Sequence, residues 1–146
     1  MVRNFLEVSV ETFVNATEDE DKVIEAVKNV TGMDFPPGFS VNYAEGTHGN
    51  PIGIIYLSYR RSREVRYLIN RFREKPYWKT VLKEAERRMD ESQTVHFRLD
   101  KQAAYEGEER LWASGEAIKI KVKIVTYPSS RDQALRILRE TAQKSI

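Results

Sequence analysis

The sequence predicts an α+β fold of two layers, a mostly antiparallel, mixed sheet with helices packed on one face. Three observations lead there. Five segments carry the apolar pattern of a strand, alternating or apolar on both faces, and four carry the longer period of an amphipathic helix. The two kinds follow the order β-α-β-β-α-α-β-β-α, without the strict alternation of parallel βαβ units. The chain has 146 residues, 40% of them hydrophobic, which suits a single domain with its own core over residues 1–146.

The first strand is LEVSVETFV, with Leu6, Val8, Val10 and Val14 on one face and Glu7, Ser9 and Glu11 on the other. ATEDEDKVIEAVKNVTG follows as a helix. Thr17 and Glu20 form a capping box, and acids fill the first turn, where the helix dipole favours them. Val23, Ala26, Val27 and Val30 make its apolar stripe, and Gly32 its C-cap. FPPGFSVNYAEG and NPIGIIYLSY are two strands joined near EGTHGN. The second is apolar on both faces (Ile52, Ile54 and Tyr56; Ile55, Leu57 and Tyr59), the pattern of a central strand covered on both sides.

SREVRYLINRFREK is an amphipathic helix whose Val65, Leu68, Ile69 and Phe72 recur at helical spacing. Pro76 suits the start of another, in which Trp78, Val81, Leu82, Ala85 and Met89 share a face. TVHFRLD is a strand with Val95, Phe97 and Leu99 pointing one way; KQAAYEGEERLWASGE after it holds a short helical turn. AIKIKVKIVTY alternates most cleanly, Ile118, Ile120, Val122 and Ile124 facing in and Lys119, Lys121 and Lys123 facing out. Ser130 caps the last helix, which buries Ala134, Leu135, Leu138 and Ala142.

Composition narrows the chemistry. There is no cysteine, so disulfides, thiolate nucleophiles and cysteine-based zinc sites are excluded; this fits a reducing, cytoplasmic setting. MVRNFLEVSVETFV is broken by charges, unlike a signal peptide, and no apolar run reaches membrane-spanning length. His48 and His96 are the only histidines and form no metal-binding spacing. The acids of TEDEDK lack the alternating ligands and glycine of a calcium loop. No phosphate loop and no nucleophile elbow is present. The expectation is a protein without catalytic residues, metal or cofactor.

The net charge is only +2, but it is unevenly spread. Acids from Glu7 to Glu25 crowd the N-terminal quarter, whereas RRSREVRYLINRFREK is strongly basic. On a helix, Arg66, Asn70 and Arg73 lie within about 80° of Arg63, with Tyr67 about 40° to the other side and the apolar stripe opposite. Arg60 and Arg61 lead into this ridge. Arginine forks suit phosphate oxygens, yet any amphipathic helix needs a polar outer face, and the pattern alone fits both. The lysines at 119, 121 and 123 also read two ways: facing a polyanion, or pairing with Glu7 and Glu11 across a ladder, which requires the first and fifth strands to be neighbours.

HFRLDKQAAYEGE and AIKIKVKIVTYPSSRDQAL, with NATEDEDKVIEAV and HGNPIGIIYLSYRRSREV, resemble an archaeal family of RNA-binding proteins. Its members are described as predicted exosome-associated proteins with a fold like ribosomal protein L-five, also compared with double-stranded-RNA-binding domains. The resemblance runs from about Val8 to Leu138 and is most particular at His48, Gly49, Asn50, Pro51, Asp100, Lys101, Gln102, Tyr105 and Gly107. It implies an α+β fold, a cytoplasmic archaeal source and a non-catalytic role in RNA metabolism. The expected RNA contacts are Arg60, Arg61, Arg63, Arg66 and Arg73, with Lys101, His48 and Asn50 secondary; subunits of an RNA-processing complex are further expected partners. The rival is an adaptor or homodimer using the doubly apolar strand around Ile54 to Leu57 and the basic ridge.

Overall fold

The computed structural model describes residues 4–146; residues 1–3 of the opening segment read above for a signal pattern lie outside it. Five strands, β1 (Phe5–Val14), β2 (Asn42–Glu45), β3 (Pro51–Tyr59), β4 (Thr94–Asp100) and β5 (Ala117–Ile124), form an antiparallel sheet in the order β2-β3-β1-β5-β4. The helices are α1 (Glu20–Thr31), α2 (Ser62–Arg73), α3 (Trp78–Lys83), α4 (Ala85–Arg88), α5 (Lys101–Tyr105) and α6 (Arg131–Glu140). The predicted α+β class holds, and β1 does lie beside β5. The chain divides into two compact units. The first holds the residues up to Ser9, Ser58–Phe97 and Ile120–Ile146; the second holds Val10–Leu57 and Arg98–Lys119.

An aromatic cluster centres the first unit. Phe72 of α2 stacks with Trp78 at 6.2 Å and meets Phe97 edge-on at 5.6 Å, while Trp78 meets Phe97 edge-on at 5.8 Å. The register of β4 on β5 follows from two backbone bonds, Ile124 N to Gln93 O and Lys101 N to Glu116 O, each 3.1 Å. It sets Val95, Phe97 and Leu99 opposite Val122, Ile120 and Ile118, all buried, as the alternation requires. Ser130 caps α6 by accepting from Gln133 N at 3.2 Å. Ala134, Leu135, Ile137 and Leu138 are buried, but Ala142 is exposed because α6 ends at Glu140. The single helix expected from Pro76 onward is split into α3 and α4 at Glu84 (φ −100°, ψ 17°), yet its predicted apolar face is buried.

In the second unit the cap of α1 is Asp19, whose carboxylate accepts from Asp21 N at 2.9 Å, rather than Thr17. Gly32 ends the helix as predicted, in the left-handed region at φ 70°. The strand expected over FPPGFSVNYAEG shrinks to Asn42–Glu45, because the proline pair and Gly38 (φ 78°) belong to a loop. β2 pairs with β3 in the register Asn42–Ile54, Tyr43–Gly53, Ala44–Ile52 and Glu45–Pro51. β3 is not covered on both sides. Ile55 and Leu57 are buried, but Ile52 and Ile54 are half-exposed and Tyr56 is 52% exposed.

The turn into β4 is held by Asp90. Its carboxylate accepts from Ser92 N (2.9 Å), Ser92 Oγ (2.8 Å) and Thr94 N (3.0 Å), and His96 Nε2 lies 2.7 Å away. His96 faces outward, as its strand position predicts. Burial works to raise the pKa of Asp90, but the bonds from His96, Thr94 and Ser92 outweigh it and hold the carboxyl well below the usual range. A depressed carboxylate pKa contributes stability that is present above the unfolded value, near 3.9, and lost as pH falls through the folded value. Asp90→Asn should therefore lower the melting temperature at pH 7, and its deficit against the parent should shrink steadily below about pH 4. Melts recorded across pH 2–7 check this; a constant deficit would show that the carboxylate charge is not what holds the turn.

Candidate nucleic-acid interface

The rotation of α2 is set from inside. Val65, Leu68, Ile69 and Phe72 are fully buried in the first unit, a stripe whose burial contributes on the order of 1.5–3 kcal/mol per side chain. With that stripe inward, Arg63, Arg66 and Tyr67 must point outward, and all are exposed. Two polar clamps fix the helix further. The Asn70 side chain pairs with the Ile146 backbone, Nδ2 donating to O at 3.1 Å and Oδ1 accepting from N at 2.8 Å. Arg73 Nε donates to Thr141 O at 2.8 Å, and Thr141 Oγ1 accepts from Trp78 Nε1 at 2.7 Å.

Arg63, Arg66, Tyr67, Asn70, Arg71 and Glu74 line a shallow groove of about 450 Å³. Arg60 and Arg61 are exposed just before the helix starts. Among the described residues no carboxylate lies within 4.0 Å of Arg60, Arg61, Arg63 or Arg66. Glu64 on α2 and Glu74 at its C-cap make no ion pair with these four among the described residues. Arg73 differs: it is half-buried and its Nε is occupied by Thr141. The outer face of α6 offers a contrast, since Arg136 and Arg139 share their groove with Asp132 and Glu140 and the signs are mixed.

Lys101 is not an exposed phosphate contact. It is 5% exposed, and its Nζ donates to Phe13 O at 2.6 Å and Glu18 Oε1 at 2.8 Å. The segment around it is a structural knot of the second unit. Asp100 caps α5 by accepting from Ala103 N at 2.9 Å, Asn29 Nδ2 donates to Ala104 O at 2.8 Å, and Lys22 Nζ lies 5.7 Å from the Tyr105 ring centre. The cleft of about 480 Å³ beside it carries Glu18, Asp19 and Glu116 on its wall, a poor lining for a polyanion. His48 and Asn50 are exposed in the β2–β3 turn, where His48 takes a left-handed conformation at φ 62°. Gly46 N donates to Asn50 O at 2.7 Å, and a Cβ on Gly46 would sit 2.7 Å from that same backbone oxygen, so this turn requires glycine there.

The lysines of β5 form no ion pair among the described residues, although β1 is adjacent; Glu7 instead accepts from Ser58 Oγ. The expected ladder of opposite charges is therefore not made. The clamps by Asn70 and Arg73 and the Lys101–Glu18 pair were not read from the sequence, because each joins residues 68 to 83 positions apart. No helix among the described residues is long and apolar enough to cross a membrane.

Comparison with known proteins places the chain. A family model described as RNA binding matches residues 7–124. RNA-binding protein PAB1135 of Pyrococcus abyssi is 31% identical over 139 residues, covering 91% of this chain and 90% of that protein. The crystal structure of AF2318 from Archaeoglobus fulgidus has a TM-score of 0.82 at 33% identity, covering 94% of this chain and 99% of that one. Mth689 from Methanothermobacter thermautotrophicus has a TM-score of 0.77 at 36% identity, covering 95% of this chain and 98% of that one. By the length of the matched model and by these relatives, the chain belongs to this archaeal RNA-binding family.

Proposed function

We propose that the protein binds RNA without acting on it chemically, and that the outward face of α2 is where it does so. The single observation that carries this is the unpaired state of Arg60, Arg61, Arg63 and Arg66, whose charge no carboxylate among the described residues neutralises within 4.0 Å. Exposed guanidinium forks donate in pairs to phosphate oxygens, and phosphate contacts supply most of the affinity for nucleic acid. Tyr67, 43% exposed beside Arg63 and Arg66, offers an apolar surface to a sugar or base. Family membership supports the same ligand.

Tyr67 is the one aromatic among the residues lining the groove, and the Asn70 amide is held by Ile146, so recognition follows the shape of the backbone more than its sequence. His48 and Asn50 remain exposed secondary contacts in the second unit; Arg73 contributes only what its bond to Thr141 leaves free, and Lys101 drops out. The likeness to predicted exosome-associated proteins extends the proposal to an accessory place in a cytoplasmic RNA-processing complex.

Two variants test this reading. Arg63→Glu with Arg66→Glu should abolish RNA binding in a titration while leaving the melting temperature within the ordinary range for surface changes, about ±0.5 kcal/mol in stability. Unchanged affinity would refute the site. Lys101→Ala should behave oppositely. It should cost about 2–3 kcal/mol, below the full penalty for breaking a buried pair because Glu18 keeps 30% exposure to water, and leave RNA affinity of the folded protein unchanged.

A further inference from the structure

Arg98 of β4 and Trp112 have no role in the reading above. Leu99 bridges to Leu111, Trp112 N donates to Arg98 O and Asp100 N donates to Arg110 O, both at 2.9 Å, so a short extended segment lies along the outer edge of β4. Residues paired across such a ladder share a face, which sets Trp112 beside Arg98. On the other side of β4 the register with β5 sets Lys119 opposite Arg98. Leu99 and Ile118, their neighbours in sequence, are buried, and the row Trp112, Arg98, Lys119 is on the outward face. All three residues belong to the second unit.

The indole is held in place yet open to solvent. Trp112 Nε1 donates to Gly115 O at 2.8 Å, a turn for which Gly115 takes a left-handed φ of 82°. The Arg98 guanidinium lies over the ring, 5.4 Å from its centre. Trp112 is nevertheless 38% exposed, whereas Trp78, the other tryptophan of the chain, is 2% exposed. Neither Arg98 nor Lys119 has a carboxylate within 4.0 Å among the described residues. The next pair on the same face is already engaged, Arg110 with Glu108 at 3.1 Å and Asp100 as the cap of α5. The unmatched cations therefore sit immediately beside the indole.

We infer that this row is a stacking platform for an unpaired nucleotide of RNA, one base resting on Trp112 and Arg98 and the adjoining phosphates meeting Arg98 and Lys119. The inference rests on the RNA-binding reading and adds to it a contact separate from α2. The chemistry selects the ligand. Indole and guanidinium planes both stack on bases, and two unmatched cations on strands about 5 Å apart complement phosphate. A duplex keeps its base faces covered, so a single strand is what offers one to the ring. An acidic peptide would meet the cations and leave the indole without a planar partner.

Tryptophan fluorescence of the whole chain tests this, because Trp78 is buried and Trp112 carries the exposed signal. An eight-residue oligouridylate should quench the emission as it binds, and inorganic polyphosphate should not. Trp112→Ala should weaken oligouridylate binding about 5- to 150-fold, the span of one stacked base, and leave the affinity for a blunt RNA duplex unchanged. Lys119→Gln, which keeps the ring in place, should make the log–log salt slope for the oligouridylate shallower by about 0.7. A wild type that binds no RNA would overturn both readings. Binding that Arg63→Glu with Arg66→Glu abolishes, while Trp112 emission stays unmoved and Trp112→Ala has no effect, would overturn this inference alone. So would quenching by polyphosphate equal to that by oligouridylate, or an equal loss of duplex affinity on Trp112→Ala.

Discussion

The burial of Val65, Leu68, Ile69 and Phe72 is the constraint on which the basic surface depends. A helix turned by one residue would carry its side chains through about 100°, bringing Arg73 to the place of Phe72 beside Trp78 and Phe97. Burying an unpaired guanidinium is far costlier than losing a few contacts, so only one rotation is accessible. The clamps from Asn70 to Ile146 and from Arg73 to Thr141 add direction to what the apolar stripe leaves loose. Polar groups that looked like part of one outward ridge thus divide by task. Asn70 and Arg73 hold the helix, while Arg60, Arg61, Arg63 and Arg66 are held.

The same division explains why two kinds of cation in one chain have opposite fates. Lys101 follows directly on β4 and is carried inward, where Glu18 and the Phe13 carbonyl replace the water it gives up. Arg60, Arg61, Arg63 and Arg66 stay exposed to water, with no carboxylate within 4.0 Å among the described residues. Removing water is what distinguishes them: a desolvated cation must be matched inside the protein, and an exposed one need not be. Of the acids in the N-terminal quarter, Asp19 serves as a helix cap and Glu18 as the partner of Lys101.

Short-period features were legible in the sequence, and features that depend on distant partners were not. The alternation of β5 and β4, the stripes of α1 and α2 and the Gly32 and Ser130 caps all follow from residues within a few positions; β1 and β5 are neighbours, but without the charge ladder from which that was expected. The cap at Asp19 was missed because three adjacent positions carry competent oxygens, and the choice among them rests on backbone geometry. β3 looked doubly covered because apolar content alone does not say what lies over a face. Lys101 looked like a contact because its partner is 83 residues away, and Arg73 because the Thr141 carbonyl is 68 residues away. The arginine ridge was visible as a pattern, but that no carboxylate among the described residues lies within 4.0 Å of Arg60, Arg61, Arg63 or Arg66 became visible only in three dimensions.

Counting the phosphates neutralised by α2 tests the central claim most directly. RNA affinity measured against salt for the wild type and for Arg63→Gln with Arg66→Gln gives two log–log slopes. If these side chains each displace a counterion, the variant's slope should be shallower by about 1.4–1.8. Equal slopes, whatever the change in affinity, would mean that the guanidinium groups of α2 do not meet phosphate.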